Sequence, residues 1–122
     1  MENRQTLVLG VSLKPDRYSY KAVQMLCDHN FPVIAVGLVE GFIKNIPVQK
    51  NIPFNTPIHT ITLYMNAERQ KEIEHEIISL KPVRIIFNPG AENDNLFKLA
   101  QQSNIQVINA CTLVLLTTYQ YF

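Results

Sequence analysis

The chain has 122 residues, 47% of them hydrophobic, which is enough for one core and too little for two, so one soluble domain over residues 1–122 is expected. Eleven Lys and Arg against ten Asp and Glu leave a net charge of +1, spread without the concentrated basic face of a nucleic-acid binder. No stretch approaches the roughly 20 apolar residues of a membrane span, and residues 1–5 lack the apolar region of a signal peptide.

In chain order, the first element is an apolar strand, Leu7-Val8-Leu9, running into Gly10 and then into a polar, basic turn, Ser12 to Ser19. A helix over 20–30 follows, with Ala22, Val23, Leu26 and Cys27 on one stripe. A second apolar strand, 32–36, ends at Gly37. Residues 37–57 carry Pro47, Pro53 and Pro57 and no helical stripe, so a crossover helix is short or missing there. Pro47-Val48 adds at most a short extended edge piece, and Asn51-Ile52-Pro53-Phe54 reads as a turn with apolar anchors. A third strand, 60–64, precedes a helix over 67–80 with Ile73, Ile77 and Leu80 inward; Glu68, Glu72, Glu74 and Glu76 form its solvated face. The remaining elements are a strand at 83–87, a helix at 93–103, a shorter strand at 106–108 and a helix at 111–118.

Strands that are continuously apolar and alternate with helices imply right-handed crossovers and a parallel sheet covered on both faces. The fold expected is α/β, a three-layer Rossmann-like sandwich with a five-stranded parallel sheet in the order 3-2-1-4-5. Ligands of such sheets bind outside the carboxyl ends of the strands, where the connections diverge. Four loops meet that rule: 10–19, 37–41, 88–92 and 109–112.

The first loop has the layout of a phosphate cradle. A glycine at the strand end allows a tight turn, and the first backbone N–H groups of the next helix point outward with the positive end of the helix dipole behind them. Lys14, Arg17 and Lys21 crowd this turn, offset by Asp16. It is not a dinucleotide fingerprint: Ser12 and Pro15 occupy the later glycine positions, and the second strand ends in Gly37, where an NAD site uses an acid for the ribose. Gly37 and Gly41 leave room for adenosine or its 3′-phosphate beside the backbone.

The pattern Gly10-x-Ser12-x-x-Pro15-x-Arg17-x-Ser19-Tyr20, the loop from Gly37 to Pro47, Asn88-Pro89-Gly90, and Ala110-Cys111-Thr112-Leu113 occur in order over nearly the whole chain. Together they resemble the small single-domain CoA-binding proteins of the YccU type, which are similar to the CoA-binding domain of the succinyl-CoA synthetase alpha subunit. The resemblance implies a Rossmann fold that binds CoA with no established reaction. It further implies that Ser12, Arg17 and Ser19 hold the diphosphate, the loop at Gly37 meets adenosine, and Asn88-Pro89-Gly90 flanks the pantetheine arm. Val11 stands where a smaller residue is common, and the second loop lacks the basic residue often found there.

Each of these residues has a plainer reading. Arg17 could pair with Asp16 or Asp28, Ser12 and Ser19 could only cap the helix, and Asn88-Pro89-Gly90 is a good turn in its own right. Cys111, at a helix start, is the one candidate nucleophile, with a small core residue as its rival because no histidine base is adjacent. Cys27 and Cys111 lack disulfide or CxxC spacing and fit free thiols in the cytoplasm; His29, His59 and His75 have no metal-ligand spacing.

The leading expectation is a cytoplasmic protein that binds CoA or an acyl-CoA without catalysis. A nucleotide-cofactor-dependent enzyme or enzyme subunit using the same cleft is one alternative, and a partner-regulating domain with a vestigial cleft is another. The C-terminal Tyr119, Tyr121 and Phe122 are candidates for docking a second copy of the chain or another protein.

Overall fold

A computed structural model describes residues 4–122. Strand β1 (Thr6–Val11), helix α1 (Tyr18–Asp28) and strand β2 (Val33–Gly37) come first, followed by two short strands, β3 (Gly41–Ile43) and β4 (Ile46–Gln49). Strand β5 (Thr60–Leu63) leads into α2 (Ala67–Gln70), a 3-10 turn (Lys71–Ile73) and α3 (Glu74–Ser79). Strand β6 (Arg84–Phe87), α4 (Asp94–Gln102), β7 (Gln106–Asn109) and α5 (Thr112–Thr117) complete the chain.

The seven strands form one sheet in the order β3-β4-β2-β1-β5-β6-β7. Every neighbouring pair is parallel except β3 with β4. Alternation along each strand sends side chains to opposite faces. Leu7, Leu9, Ile61, Leu63, Ile85 and Phe87 pack under Ile77 of α3 and Leu96 and Ala100 of α4. Val8, Ala35 and Ile86 pack on the other face, under Val23 and Leu26 of α1 and Leu116 of α5. The α/β Rossmann-like class is as expected, and most element boundaries agree with the sequence within about two residues.

The sheet has seven strands where five were expected, and the strand at Thr60–Leu63 lies directly beside β1 instead of outside β2. The third position of the 3-2-1 half belongs to β4, which pairs parallel with β2 through Ala35↔Val48 and Val36↔Gln49. No helix joins β2 to β4. The chain overshoots as β3 and returns through the two-residue turn Lys44-Asn45, with Lys44 at a φ of 53°. Pro47 therefore lies in an inner strand and not an edge piece; it falls outside the β2 register, so its missing N–H is not required there. The segment from β4 to β5 crosses the sheet without a helix and anchors Ile52 and Ile58 in the core, while Phe54 stays exposed.

The helix expected over 67–80 is broken into α2, the 3-10 turn and α3. The break lies between two inward polar side chains, Gln70 and Glu74, the latter only 7% exposed. Gln70 donates to the carbonyls of Met65 (2.7 Å) and Ala91 (2.8 Å). Asn93 donates to Gln70 Oε1 (2.9 Å) and Glu74 Oε2 (2.8 Å), and Asn95 donates to Glu74 Oε1 (2.7 Å). Glu74 thus leaves the solvated face assigned to it; Glu68, Glu72 and Glu76 remain there. One of the C-terminal aromatics, Tyr121, also turns inward. Tyr121 is 2% exposed, bonded to Thr6 Oγ1 through its hydroxyl (2.6 Å), and the Arg84 guanidinium lies over both Tyr121 and Phe122. Phe122, at 39%, and Tyr119, at 85%, remain exposed.

Candidate functional site

The carboxyl ends of β1, β2 and β5 open into a trough made of two adjoining cavities. One, of about 300 Å³, lies between the loop Gly10–Lys14 and Leu38 and Val39, with Arg69 on its wall. The other, of about 410 Å³, lies over Leu9, Val36 and Gly37 and is closed by Lys50, Ile52 and the α2–α3 segment. Gly10, Leu38 and Arg69 line both. Because the chain leaves β1 through α1 towards β2 on one side and leaves the adjacent β5 through α2 and α3 towards β6 on the other, this is the topological switch point of the sheet.

The two glycines of the trough have packing reasons of their own. Gly10 has a φ of 92° and sits where the β1 register slips between Leu9 and Val11, a bulge that turns Val11 onto the face of Val8. A Cβ there would lie 2.9 Å from the Tyr64 backbone. At Gly37 a Cβ would collide with the Val11 carbonyl oxygen. Both residues let strands approach, and the adjoining backbone forms the floor of the trough.

Above it, the first loop folds on itself. The Ser12 N–H donates to Ser19 Oγ (3.0 Å) and the Lys14 N–H to Ser12 Oγ (3.2 Å). Ser12 and Ser19 therefore shape the loop and do not cap α1. The N-cap position is Arg17, in extended backbone with no side-chain cap, and the first turn carries no acidic residue. Its N–H groups and positive dipole end are uncompensated by side chains. Lys14, Pro15 and Arg17 are exposed around this end, while Tyr20 packs towards the core. Asp28, a rival partner for Arg17, instead pairs with Lys44 (2.9 Å). Among the described residues, Lys14, Arg17, Lys50 and Arg69 make no ion pair.

Further along the same edge, the sequence-derived residues divide. Asn88 is 1% exposed and donates to Thr62 Oγ1 (2.6 Å) and the Leu63 carbonyl (2.8 Å), while its Oδ1 accepts from the Thr112 N–H (2.8 Å). Thr62 and Thr112 share a hydroxyl bond of 2.7 Å. This buried network ties β5, β6 and α5 together and leaves Pro89 and Gly90 as the exposed part of that turn. Cys111 occupies the N-cap position of α5, half-buried, and lines neither cavity of the trough. Beside it, burial pushes the Tyr64 phenol well above its ordinary pKa, and its hydroxyl has no hydrogen-bond partner among the described residues. Burial likewise raises the Cys27 thiol, as befits an inert packing residue. Among the described residues no group of three His, Cys, Asp or Glu side chains is placed to hold a metal ion, and no helix is long and apolar enough to cross a membrane.

Lys50, Met65 and Arg69 were missed by the sequence reading. The expected strand order put the end of the third strand at the sheet edge, away from Gly10, so its loop was not counted among the ligand-facing ones. The signal was present: Asn66 is an N-cap, accepting from the Arg69 N–H (3.0 Å), directly after an apolar strand.

The comparisons with known proteins bear on the fold and the family. No curated protein matches the chain. A crystal structure of an uncharacterized protein is 34% identical, with a TM-score of 0.92 over 98% of this chain and 99% of that one. A Thermus thermophilus protein solved as cell-free ID.343 shares the fold at 15% identity, TM-score 0.84, over 98% of this chain and 91% of its own. A hypothetical protein from Pyrococcus horikoshii OT3 does so at 18% identity, TM-score 0.80, over 92% and 80%. The family model described as a CoA binding domain matches residues 4–117, and the chain belongs to that family.

Proposed function

We propose that residues 1–122 act as one domain that binds CoA or an acyl-CoA in the trough at the switch point, in the cytoplasm, and perform no chemistry on it. The observation that carries this reading is a trough lined by three cations without ion-pair partners among the described residues, Lys14, Lys50 and Arg69, whose first loop runs on to the exposed Arg17 and the uncapped N-terminus of α1. Lys14 and Arg17 at the positive end of a helix are unfavourable without an anion. A diphosphate ester supplies that anion, held by the α1 N–H groups, Lys14 and Arg17.

The donor set suits CoA in other respects. The backbone at Gly37, beside the apolar Val36 and Ile52, gives adenosine a flat, close surface. The pantetheine arm runs towards the exposed Pro89 and Gly90, with Asn88 holding that turn from beneath. Cys111 lies outside the trough, which favours binding over thiol catalysis. The two free cysteines fit a reducing compartment.

Isothermal titration with CoA, and with NAD and ATP alongside, tests the reading. Binding of CoA in preference to both nucleotides is the expected result. Binding of NAD alone, or of none of the three, overturns it.

A further inference from the structure

The two edges of the sheet are guarded differently. At β3 the edge is a strand of 3 residues, with Glu40 before it and Lys44, paired with Asp28 (2.9 Å), after it. Shortness and charge keep other strands away from such an edge. The opposite edge is β7 (Gln106–Asn109), which carries neither charge nor proline. Beyond Lys98 the chain contains no Lys, Arg, Asp, Glu or His. The end of α4, β7, α5 and the residues after it therefore present an uncharged side of the molecule.

The ladder to β6 uses the N–H groups of Gln106 and Ala110, which donate to the carbonyls of Val83 (3.0 Å) and Phe87 (3.1 Å). Main-chain groups alternate from side to side along a strand, so Val107 and Asn109 turn their N–H and C=O groups outward. The N–H before them, that of Ile105, is already spent on the Ala100 carbonyl (2.9 Å). Ile108, between the two outward residues, is 40% exposed and lines a groove of about 310 Å³ with Gln106, Leu115 and Gln120. The charged residue of that groove, Arg84, is held by Thr60 and the Tyr121 carbonyl and covered by the rings of Tyr121 and Phe122.

We infer that β7 pairs antiparallel with β7 of a second copy of this chain, about a two-fold axis at Ile108, and joins the two sheets into one. In this register Val107 faces Asn109 of the second copy, and each exchanges N–H and C=O bonds with the other, as do their symmetry mates. All the outward groups of β7 are then used, and Ile108 meets Ile108 of the second copy on the axis. A two-fold contact sets a patch against itself. A charged edge would repel its own copy, and this uncharged one does not; it also offers nothing to attract a partner of opposite charge. Strand β6 separates β7 from the strands that form the trough, so both troughs stay open and the inference stands independently of the CoA reading.

Sedimentation velocity of the full chain over a range of concentrations tests it, with the wild type expected to form dimers. Ile108→Lys and Ile108→Asp each place like charges face to face on the axis and should weaken self-association by about tenfold or more. An equimolar mixture of the two variants should restore the dimer, because opposite charges then meet there. Thermal melting reports whether each variant folds. Asn109→Pro, which removes an outward donor and spares the β6 ladder, is a second variant expected to be monomeric. A wild type that is monomeric throughout, a dimer that survives these substitutions, or a mixture no more dimeric than its separate components overturns the inference.

Discussion

Asn88 shows how much one side chain carries in this protein. Its amide joins β5, β6 and the start of α5 through bonds to Thr62, Leu63 and Thr112, all away from water. Removing it leaves the Leu63 carbonyl and the Thr112 N–H without that buried partner, so Asn88→Ala should destabilise the fold by about 2–3 kcal/mol, read by chemical denaturation. Arg17 is the opposite kind of residue, exposed and without an ion-pair partner among the described residues. Arg17→Ala should leave the melting temperature unchanged and weaken CoA binding on the order of tenfold; unchanged affinity in titration would refute its assignment to the diphosphate. The sequence marked both residues for one ligand, and it could not separate them. Whether an asparagine at a strand end points outward or into the core depends on which strand and helix flank it, and that is a tertiary matter.

Among the elements, the joint between α2 and α3 is the least regular and the most informative. Apolar spacing at Ile73, Ile77 and Leu80 fits an unbroken helix, and only the inward Gln70 and Glu74 contradict it. Their partners, Met65, Ala91, Asn93 and Asn95, come from other segments, so the pattern of one helix could not reveal them. Glu74→Ala leaves the amides of Asn93 and Asn95 without that acceptor. It should cost about 1–3 kcal/mol in thermal or chemical unfolding, where Glu76→Ala, on the exposed face, should cost nothing measurable. The missing crossover helix was legible from the prolines and absent stripe of 37–57. The hairpin that replaces it was not, because three- and four-residue strands leave too short a pattern to recognise.

For the whole molecule, burial of phenols sets an alkaline limit. Tyr64 and Tyr121 are both raised above the ordinary value of 10.0, in each case chiefly by burial; the Tyr64 hydroxyl has no hydrogen-bond partner among the described residues, while the bond between Tyr121 and Thr6 acts in reverse. A group whose pKa is higher folded than unfolded contributes stability that is complete below the unfolded pKa and declines as pH rises through the folded one. Unfolding free energy should therefore fall as pH rises above about 10, and Tyr64→Phe should fall less steeply. Equal alkaline slopes in the two proteins would show that Tyr64 ionises as freely folded as unfolded. At neutral pH, CoA at a hundred times its dissociation constant should add about 2.7 kcal/mol of stability, visible as a raised melting temperature.

By itself the sequence determined the α/β class, the parallel sheet, the apolar stripes of α1 and α4, and the tight polar loop after β1. These follow from local periodicity and from glycine and proline placement, which each segment carries within itself. It also carried enough ordered motifs to indicate a CoA-binding family. The tertiary structure decided the strand order, the second cavity and the presence of both Lys50 and Arg69 in its lining. Strand order depends on which edges pair after the chain has crossed the sheet. A helix and a hairpin can both bridge β2 to β4, and only the packing of Ile43, Val48 and Ile52 against the two sides of the sheet selects between them. With that choice β5 comes to lie beside β1, and the loop after β5 becomes a wall of the trough.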